Sequence, residues 1–195
     1  EERCRMCFEK AAEGKQVALI CSGDAGVYGL ASLMYEIGKG YEDMELIVVP
    51  GITAACSGAA VLGAPLNHDF CVISLSDLLT PWDKIEKRLR AAAMGDFAIA
   101  IYNPSSHKRR DYLQRACDIL LEILSPERIC GCVENIDREG TLTQVCTLGE
   151  LRQMQGNMFT TVYIGNSQTR RIGNKMVTPR GYQVGTKNAG NRDIK

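Results

Sequence analysis

Ser22-Gly23-Asp24-Ala25-Gly26 and, further along, Pro50-Gly51-Ile52-Thr53-Ala54-Ala55 are the two stretches on which the fold turns. The first follows an apolar run at 17–21 and precedes residues 27–38, where Val27, Leu30, Met34 and Ile37 recur at helical spacing. The second follows an apolar run at 46–49 and opens an Ala- and Gly-rich helix over 53–62 that Gly63-Ala64-Pro65 ends. Strand, tight turn and helix in succession are the grammar of a βαβ unit, so the fold class is α/β. Glycine permits positive φ and close approach of a small molecule to main-chain groups, while each opening helix offers unpaired N–H donors. The two turns therefore predict a ligand floor built largely from backbone.

Outward from the floor the alternation continues. A helix over 4–13 stops at Gly14, a strand is expected at 71–75, and Thr80 and Pro81 can cap and open a helix running to about Met94. Beyond it the pattern predicts strands at 97–102, 129–133, 142–147 and 160–164, a helix over 109–124 and a short helix around 150–154. Strands follow one another more closely in this half, so hairpins enter the sheet. The result is two α/β lobes, each a mixed sheet flanked by helices, with an amino-terminal lobe over 1–76 and a carboxy-terminal lobe over 77–182. Residues 183–195 are polar and glycine-rich and read as a flexible tail.

Composition narrows the chemistry. With 45% apolar and 24% charged residues, the 195-residue chain has the make-up of a globular protein. Its 23 basic and 23 acidic residues balance, so no global field favours nucleic acid or an anionic membrane, and an anionic ligand needs a local basic patch. No apolar stretch approaches the roughly 20 residues of a membrane span. The opening Glu-Glu-Arg-Cys-Arg is unlike a secretory signal, and the chain reads as cytoplasmic. Nine cysteines cannot all pair, and most, such as Cys21, Cys71, Cys117, Cys130 and Cys146, fall in apolar runs, as core thiols of a reducing compartment do. Cys4-x-x-Cys7 joined by Cys130 and Cys132 is the metal-binding alternative. With only two histidines, and Cys130 and Cys132 at strand spacing, core packing is preferred and no protein-bound metal is expected. Gly23-x-x-Gly26-x-x-Gly29 lacks the spacing of the dinucleotide fingerprint, and no P-loop is present. His68 and His107 sit in no nucleophile or metal motif.

Taken in order, Ser22 to Gly29, Val48 to Ala55, Gly63-Ala64-Pro65-Leu66, Ile101-Tyr102-Asn103-Pro104, Val133-Glu134-Asn135 and Thr160 to Asn166 resemble the tetrapyrrole methylases. The resemblance spans residues 15–182. Within the family, Tyr102-Asn103-Pro104, Gly165-Asn166-Ser167 and Thr178-Pro179-Arg180-Gly181-Tyr182 are most similar to the branch that methylates carbon 17 of a precorrin, or its cobalt-containing equivalent, in cobalamin synthesis.

The resemblance implies a two-lobed homodimer that binds S-adenosylmethionine between its lobes, releases S-adenosylhomocysteine and acts on a tetrapyrrole. Carried over residue by residue, it implies that Ser22, Gly23, Asp24 and Val27 line the cofactor on the first turn, Thr53 and Ala54 on the second, and Tyr102, Asn103, Asn135, Thr160 and Thr161 from the second lobe. Asp24 can also serve as the amino-terminal cap of the helix at Val27. Methylation at carbon 17 accompanies contraction of the macrocycle, a step that a general base would assist. No catalytic residue is assigned, and Asp24, Glu134, Tyr28 and His107 stay open for that role. For the carboxylates of the substrate, Lys108 and Arg109 are the expected partners, with Arg170-Arg171 a further basic pair.

Members of the family usually begin with an apolar strand and a Gly-x-Gly-Pro-Gly turn, and this sequence starts after such a segment. The resemblance thus implies a piece of a longer or fused polypeptide, or a protein without that part of its cleft. Two alternatives remain: another methylase of the same fold, or a non-catalytic cofactor- or corrinoid-binding module of a larger protein. The neutral charge argues against an RNA substrate.

Overall fold

The apolar runs of the second half pair into one sheet. The computed structural model describes residues 1–41, 43–106 and 109–182, so His107, Lys108 and the expected tail at 183–195 lie outside the described residues. The first half holds α1 (Glu2–Ala12), α2 (Ala31–Gly38), α3 (Ala54–Leu62), β1 (Gly63–Ala64), β2 (Phe70–Ser74) and α4 (Trp82–Met94). There follow β3 (Ala98–Tyr102), α5 (Tyr112–Leu121), β4 (Ile129–Glu134), β5 (Leu142–Thr147), α6 (Leu148–Leu151), β6 (Thr160–Ile164), β7 (Arg170–Ile172) and β8 (Lys175–Val177).

Five strands form a mixed sheet in the order β2-β3-β6-β4-β5. β2 runs parallel to β3, with Ser74 opposite Tyr102, and the other three pairs are antiparallel, β4 and β5 forming the anticipated hairpin. β3 and β6 occupy the centre and are buried along almost their whole length. Strands covered on both faces carry continuous apolar runs, as Ala98-Ile99-Ala100-Ile101 does. Period-two alternation still sorts their side chains, sending Ile99 and Ile101 to one core and Ala100 to the other.

One face is covered by α4 and α5. Ile85, Leu89, Ala92 and Ala93 make the helical stripe of α4, and Leu113, Ala116, Cys117 and Leu120 that of α5. Both stripes pack on Ile99, Ile101, Val162 and Ile164, each buried Ile or Leu contributing about 1.5–3 kcal/mol. Cys117, Cys130, Cys132 and Cys146 are buried in this core as free thiols. Burial pushes Cys117 up to about 12 and Cys71 up to about 11, so both stay protonated at neutral pH. Among the described residues, no group of three or more His, Cys, Asp or Glu side chains is arranged to hold a metal ion. A capping box starts α6, Thr147 Oγ1 accepting from the Glu150 N–H at 3.2 Å while Glu150 Oε2 accepts from the Thr147 N–H at 2.8 Å.

The opposite face receives α3, whose small residues Ala55, Gly58 and Ala59 allow close approach to Tyr163, Ala100 and Val133. A second mixed sheet, β1-β8-β7, follows α3, and the buried Thr178 ties it to the chain by donating from Oγ1 to the Pro65 carbonyl at 2.6 Å. α1 and α2 form a separate small core of Cys4, Phe8 and Met34, with Phe8 stacked on Tyr41 at 4.8 Å.

Four sequence expectations change. The apolar runs at 17–21 and 46–49 form no ladder among the described residues, and Ile20 and Val49 are 85% and 75% exposed. Their composition suits a strand, but a strand exists only where a neighbour accepts its backbone bonds. The helix expected from Val27 begins four residues later at Ala31, because Tyr28 takes φ 53°, outside the helical range. The strand at 71–75, placed in the first lobe by sequence, hydrogen-bonds to β3 in the five-stranded sheet. The polar hairpin β7–β8 was not anticipated, since Arg170-Arg171-Ile172 is exposed and carries no strand alternation.

A Cβ added to Gly58 would lie 2.3 Å from Tyr163 Oη and 2.9 Å from Ile136 Cδ1. Alanine is the better helix former by about 1 kcal/mol, but overpacking a rigid contact costs about 1–3 kcal/mol. Urea unfolding of Gly58→Ala is therefore expected to show a net loss of about 1 kcal/mol. A gain in stability would show that α3 does not sit this close to the sheet.

Candidate functional site

The two glycine turns are tied together by one carboxylate. Asp24 Oδ1 accepts from the Gly26 N–H at 2.8 Å, closing its own turn, and Oδ2 accepts from the Gly51 N–H at 2.9 Å in the other. These bonds, Gly51 first and Gly26 second, hold the Asp24 carboxyl below the usual carboxylate range. The cap role expected at Val27 is not the one Asp24 plays, because α2 starts at Ala31 without a side-chain cap. The approach is close enough that a Cβ on Gly51 would meet the Gly23 carbonyl at 2.1 Å, and Gly23 itself takes φ 76°.

From the sheet, Tyr102 reaches across to the start of α3. Its Oη accepts from the Ala55 N–H at 2.6 Å and lies 2.5 Å from Thr53 Oγ1, so it satisfies an orphan donor of the helix that Thr53 leaves uncapped. Tyr163, buried in β6, donates to the Ala54 and Ala55 carbonyls at 2.7 and 3.0 Å, and burial raises its hydroxyl above the ordinary tyrosine range. Asn103 Nδ2 donates to Ser74 Oγ at 2.9 Å, and the Asn135 N–H donates to the Phe159 carbonyl at 3.2 Å. Tyr28, Asn103 and Asn135 all take φ 53°, and the Tyr28 ring lies 5.7 Å from that of Tyr102.

These groups surround one cavity of about 390 Å³. All eleven residues named for the cofactor line it: Ser22, Gly23, Asp24, Val27, Thr53, Ala54, Tyr102, Asn103, Asn135, Thr160 and Thr161. Ile136, Arg138, Met158 and Phe159 line it too and were missed by sequence reasoning, as was Tyr28 except as a conceivable base. Their only signal was adjacency, since 136 and 138 follow Asn135 and 158 and 159 precede Thr160.

Other expected residues stand elsewhere. Arg109 is ion-paired to Asp77 at 2.7 Å, and Tyr112 donates to the same carboxylate at 2.5 Å; the Tyr112 bond and then Arg109 hold Asp77 below its ordinary value. Arg109 is not among the residues of the cavity, Lys108 and His107 lie outside the described residues, and Arg170 and Arg171 are exposed on β7. Glu134 accepts from Asn157 Nδ2 at 2.6 Å and faces a second cavity, also about 390 Å³, with Cys132, Gln144 and Met154. His68 bonds to the Pro179 carbonyl at 2.8 Å.

A floor of paired glycine turns beneath walls from a five-stranded sheet gives this α/β protein a cleft of small-molecule size. The family model of the tetrapyrrole (corrin/porphyrin) methylases matches residues 1–152, and the chain belongs to that family. It is similar to the probable cobalt-factor III C(17)-methyltransferase of Salmonella typhimurium, with 46% identity over 184 residues, 94% of this chain and 76% of that protein. Among solved structures it resembles the methyltransferase CobJ, with TM-score 0.84 and 40% identity over 91% of this chain and 76% of that one. It shares the fold of a uroporphyrin-III C-methyltransferase from Thermus thermophilus, solved with S-adenosyl homocysteine, at TM-score 0.64 and 19% identity over 84% of this chain and 72% of that one.

Because the folded form holds the Asp24 proton less tightly than the unfolded chain does, its contribution to stability is present above the ordinary carboxylate pKa and lost as pH falls through the lowered folded value. Asp24→Ala is expected to melt at a lower temperature than the parent at pH 7. The gap should persist to about pH 4, near the unfolded value, and close below it. A gap independent of pH would show that the ionised carboxylate does not make the tie.

Proposed function

We propose that the chain is an S-adenosylmethionine-dependent C-methyltransferase acting at carbon 17 of a corrinoid precursor with ring contraction. The conversion is precorrin-3B to precorrin-4, or its cobalt-containing equivalent, in cobalamin biosynthesis. The observation that carries this reading is the convergence of backbone turns, hydroxyls and aromatic rings on one cavity in a chain of this family.

The cavity suits such a donor. Its volume lies in the roughly 300–1,000 Å³ range of small-molecule sites. Val27, Tyr28, Ile136, Met158 and Phe159 offer apolar surface, and Ser22, Thr53, Thr160 and Thr161 bring hydroxyls. When bound, S-adenosylmethionine supplies an electrophilic methyl group. The chain's own task is to orient. The Gly23 and Gly51 turns, locked by Asp24, set the floor, Thr53 and Ala54 set the entry of α3, and Thr160 and Thr161 present the opposing wall. Tyr28 and Phe159, both more than half exposed, stand where they exclude water once the cleft fills. Orienting two reactants in this way supplies roughly 7–11 kcal/mol in favourable cases.

Neither carboxylate considered as a base is placed for that role, since Glu134 keeps one oxygen unbonded but lines the second cavity and not this one. Asp24 has both oxygens on backbone N–H groups, and Glu134 is bonded to Asn157. The proton that leaves during ring contraction is therefore assigned to no side chain here. The same reading makes the working unit a homodimer in the cytoplasm.

Titration calorimetry with S-adenosylhomocysteine tests the site, and transfer of a labelled methyl group to cobalt-factor III or precorrin-3B tests the activity. The parent chain is expected to bind and to transfer label, and the Asp24→Ala, Thr53→Val double variant to do neither. Binding without transfer to either acceptor would favour a non-catalytic binding module instead.

A further inference from the structure

Asp24 and Arg138 are the only charged side chains among the described residues that line the cavity, and they differ in what they are free to do. Asp24 spends both oxygens on the floor. Arg138 is one of several arginines with no side-chain hydrogen bond or ion pair among the described residues, and the only one of them that lines the cavity. The Arg138 guanidinium instead lies over the Phe159 ring, 5.0 Å from its centroid. A cation–π contact of this kind holds the guanidinium beside the ring without using its N–H donors, which stay available for a two-point grip on a carboxylate.

The loop beneath it is tightly bound. Asn135 and Asp137 take positive φ, the Arg138 N–H donates to the Asn135 carbonyl at 3.0 Å, and Thr141 Oγ1 lies 2.8 Å from both the Asn135 and Arg138 carbonyls. The Asn135 N–H, bonded to the Phe159 carbonyl, fixes this loop to the segment carrying the ring. A long cationic side chain at a cavity rim, mounted on a cross-braced hairpin loop and seated on an aromatic face, is preorganised for an anion.

We propose that Arg138, seated on Phe159, is the carboxylate clamp of this cavity and grips an aliphatic carboxylate of the bound reactants. Two sources present that chemistry: a side-chain carboxylate of the tetrapyrrole, and the amino-acid carboxylate of the methyl donor. The inference rests on the reading of the cavity as a methyl-transfer site. It differs from the sequence expectation, which looked for the carboxylate grip at Lys108 and Arg109.

The test compares the parent chain with Arg138→Gln and Arg138→Lys. It uses calorimetry with S-adenosylhomocysteine and with 5′-methylthioadenosine, which lacks the amino-acid carboxylate, and steady-state methylation of cobalt-factor III. Circular dichroism and melting verify the folds. If the clamp holds the tetrapyrrole, Arg138→Gln raises KM for the acceptor about ten- to a hundredfold with kcat little changed, and leaves both nucleoside affinities intact. If it holds the donor, affinity for S-adenosylhomocysteine falls by a similar factor while that for methylthioadenosine does not. In either case Arg138→Lys recovers only part of the loss, because a point charge replaces a fork. Unchanged KM and affinities in a folded Arg138→Gln variant would overturn the clamp while leaving the methyltransferase reading intact. Failure of the parent chain to bind S-adenosylhomocysteine would overturn that reading and the clamp with it.

Discussion

Everything in the cleft depends on how closely α3 lies on the five-stranded sheet. Ala55, Gly58 and Ala59 leave no side-chain bulk between helix and sheet, and Tyr163 and Tyr102 span the gap as rods of fixed length. One turns its hydroxyl to the Ala54 and Ala55 carbonyls of α3 and the other accepts from the Ala55 N–H. Between them they set the height, tilt and rotation of the helix start, and with it the turn that precedes α3. That turn presents the Gly51 N–H to Asp24, and Asp24 in turn closes the first turn through Gly26. Position thus passes from sheet to tyrosine, from tyrosine to helix, and from helix to both glycine turns. No single bond in the series is strong, since a net hydrogen bond contributes only about 1 kcal/mol. Their geometry, more than their energy, defines the floor.

How much of this was legible in the sequence follows burial. The strands 129–134, 142–147 and 160–164 and the extent of α4 emerged nearly to the residue, because apolar runs and helix-start residues record contacts that form. The runs at 17–21 and 46–49 carry the same composition without a ladder, and composition says nothing about a partner. The late start of α2 was hidden for a different reason: a tyrosine gives no sign of a left-handed backbone. Membership of β2 in the five-stranded sheet was equally hidden, since pairing is a non-local choice.

For the cavity, the glycine turns announce the floor, and the eleven residues implied by the family resemblance share one space. Arg138 and Phe159 did not announce themselves, being exposed and on loops, where spacing carries no period. Arg109 stands apart from the cavity. A basic run beside a functional turn invites a substrate-side role, yet its guanidinium is engaged by Asp77 at the joint before α4, where Tyr112 meets the same carboxylate and Arg115 stacks on Trp82 at 4.0 Å. Three cavity residues in left-handed backbone, Tyr28, Asn103 and Asn135, are the clearest local anomaly of the fold. Such conformations persist only where their surroundings over-determine them, and Asn103 and Asn135 are held by bonds to Ser74 and Phe159.

The floor and the walls of the cleft have unequal foundations. The walls stand on strands paired on both sides, while the floor turns are carried by segments with no ladder of their own among the described residues. Backbone of the first kind opens only when the domain as a whole opens, and backbone of the second kind opens at far smaller cost. A ligand that touches both joins the two energy scales, so that part of its binding free energy goes into slowing the fluctuations of the floor. Occupancy of this cleft is then as much a change in the motion of residues 22–26 and 50–54 as a set of new contacts, and amide exchange in those turns is where the molecule registers that it is loaded.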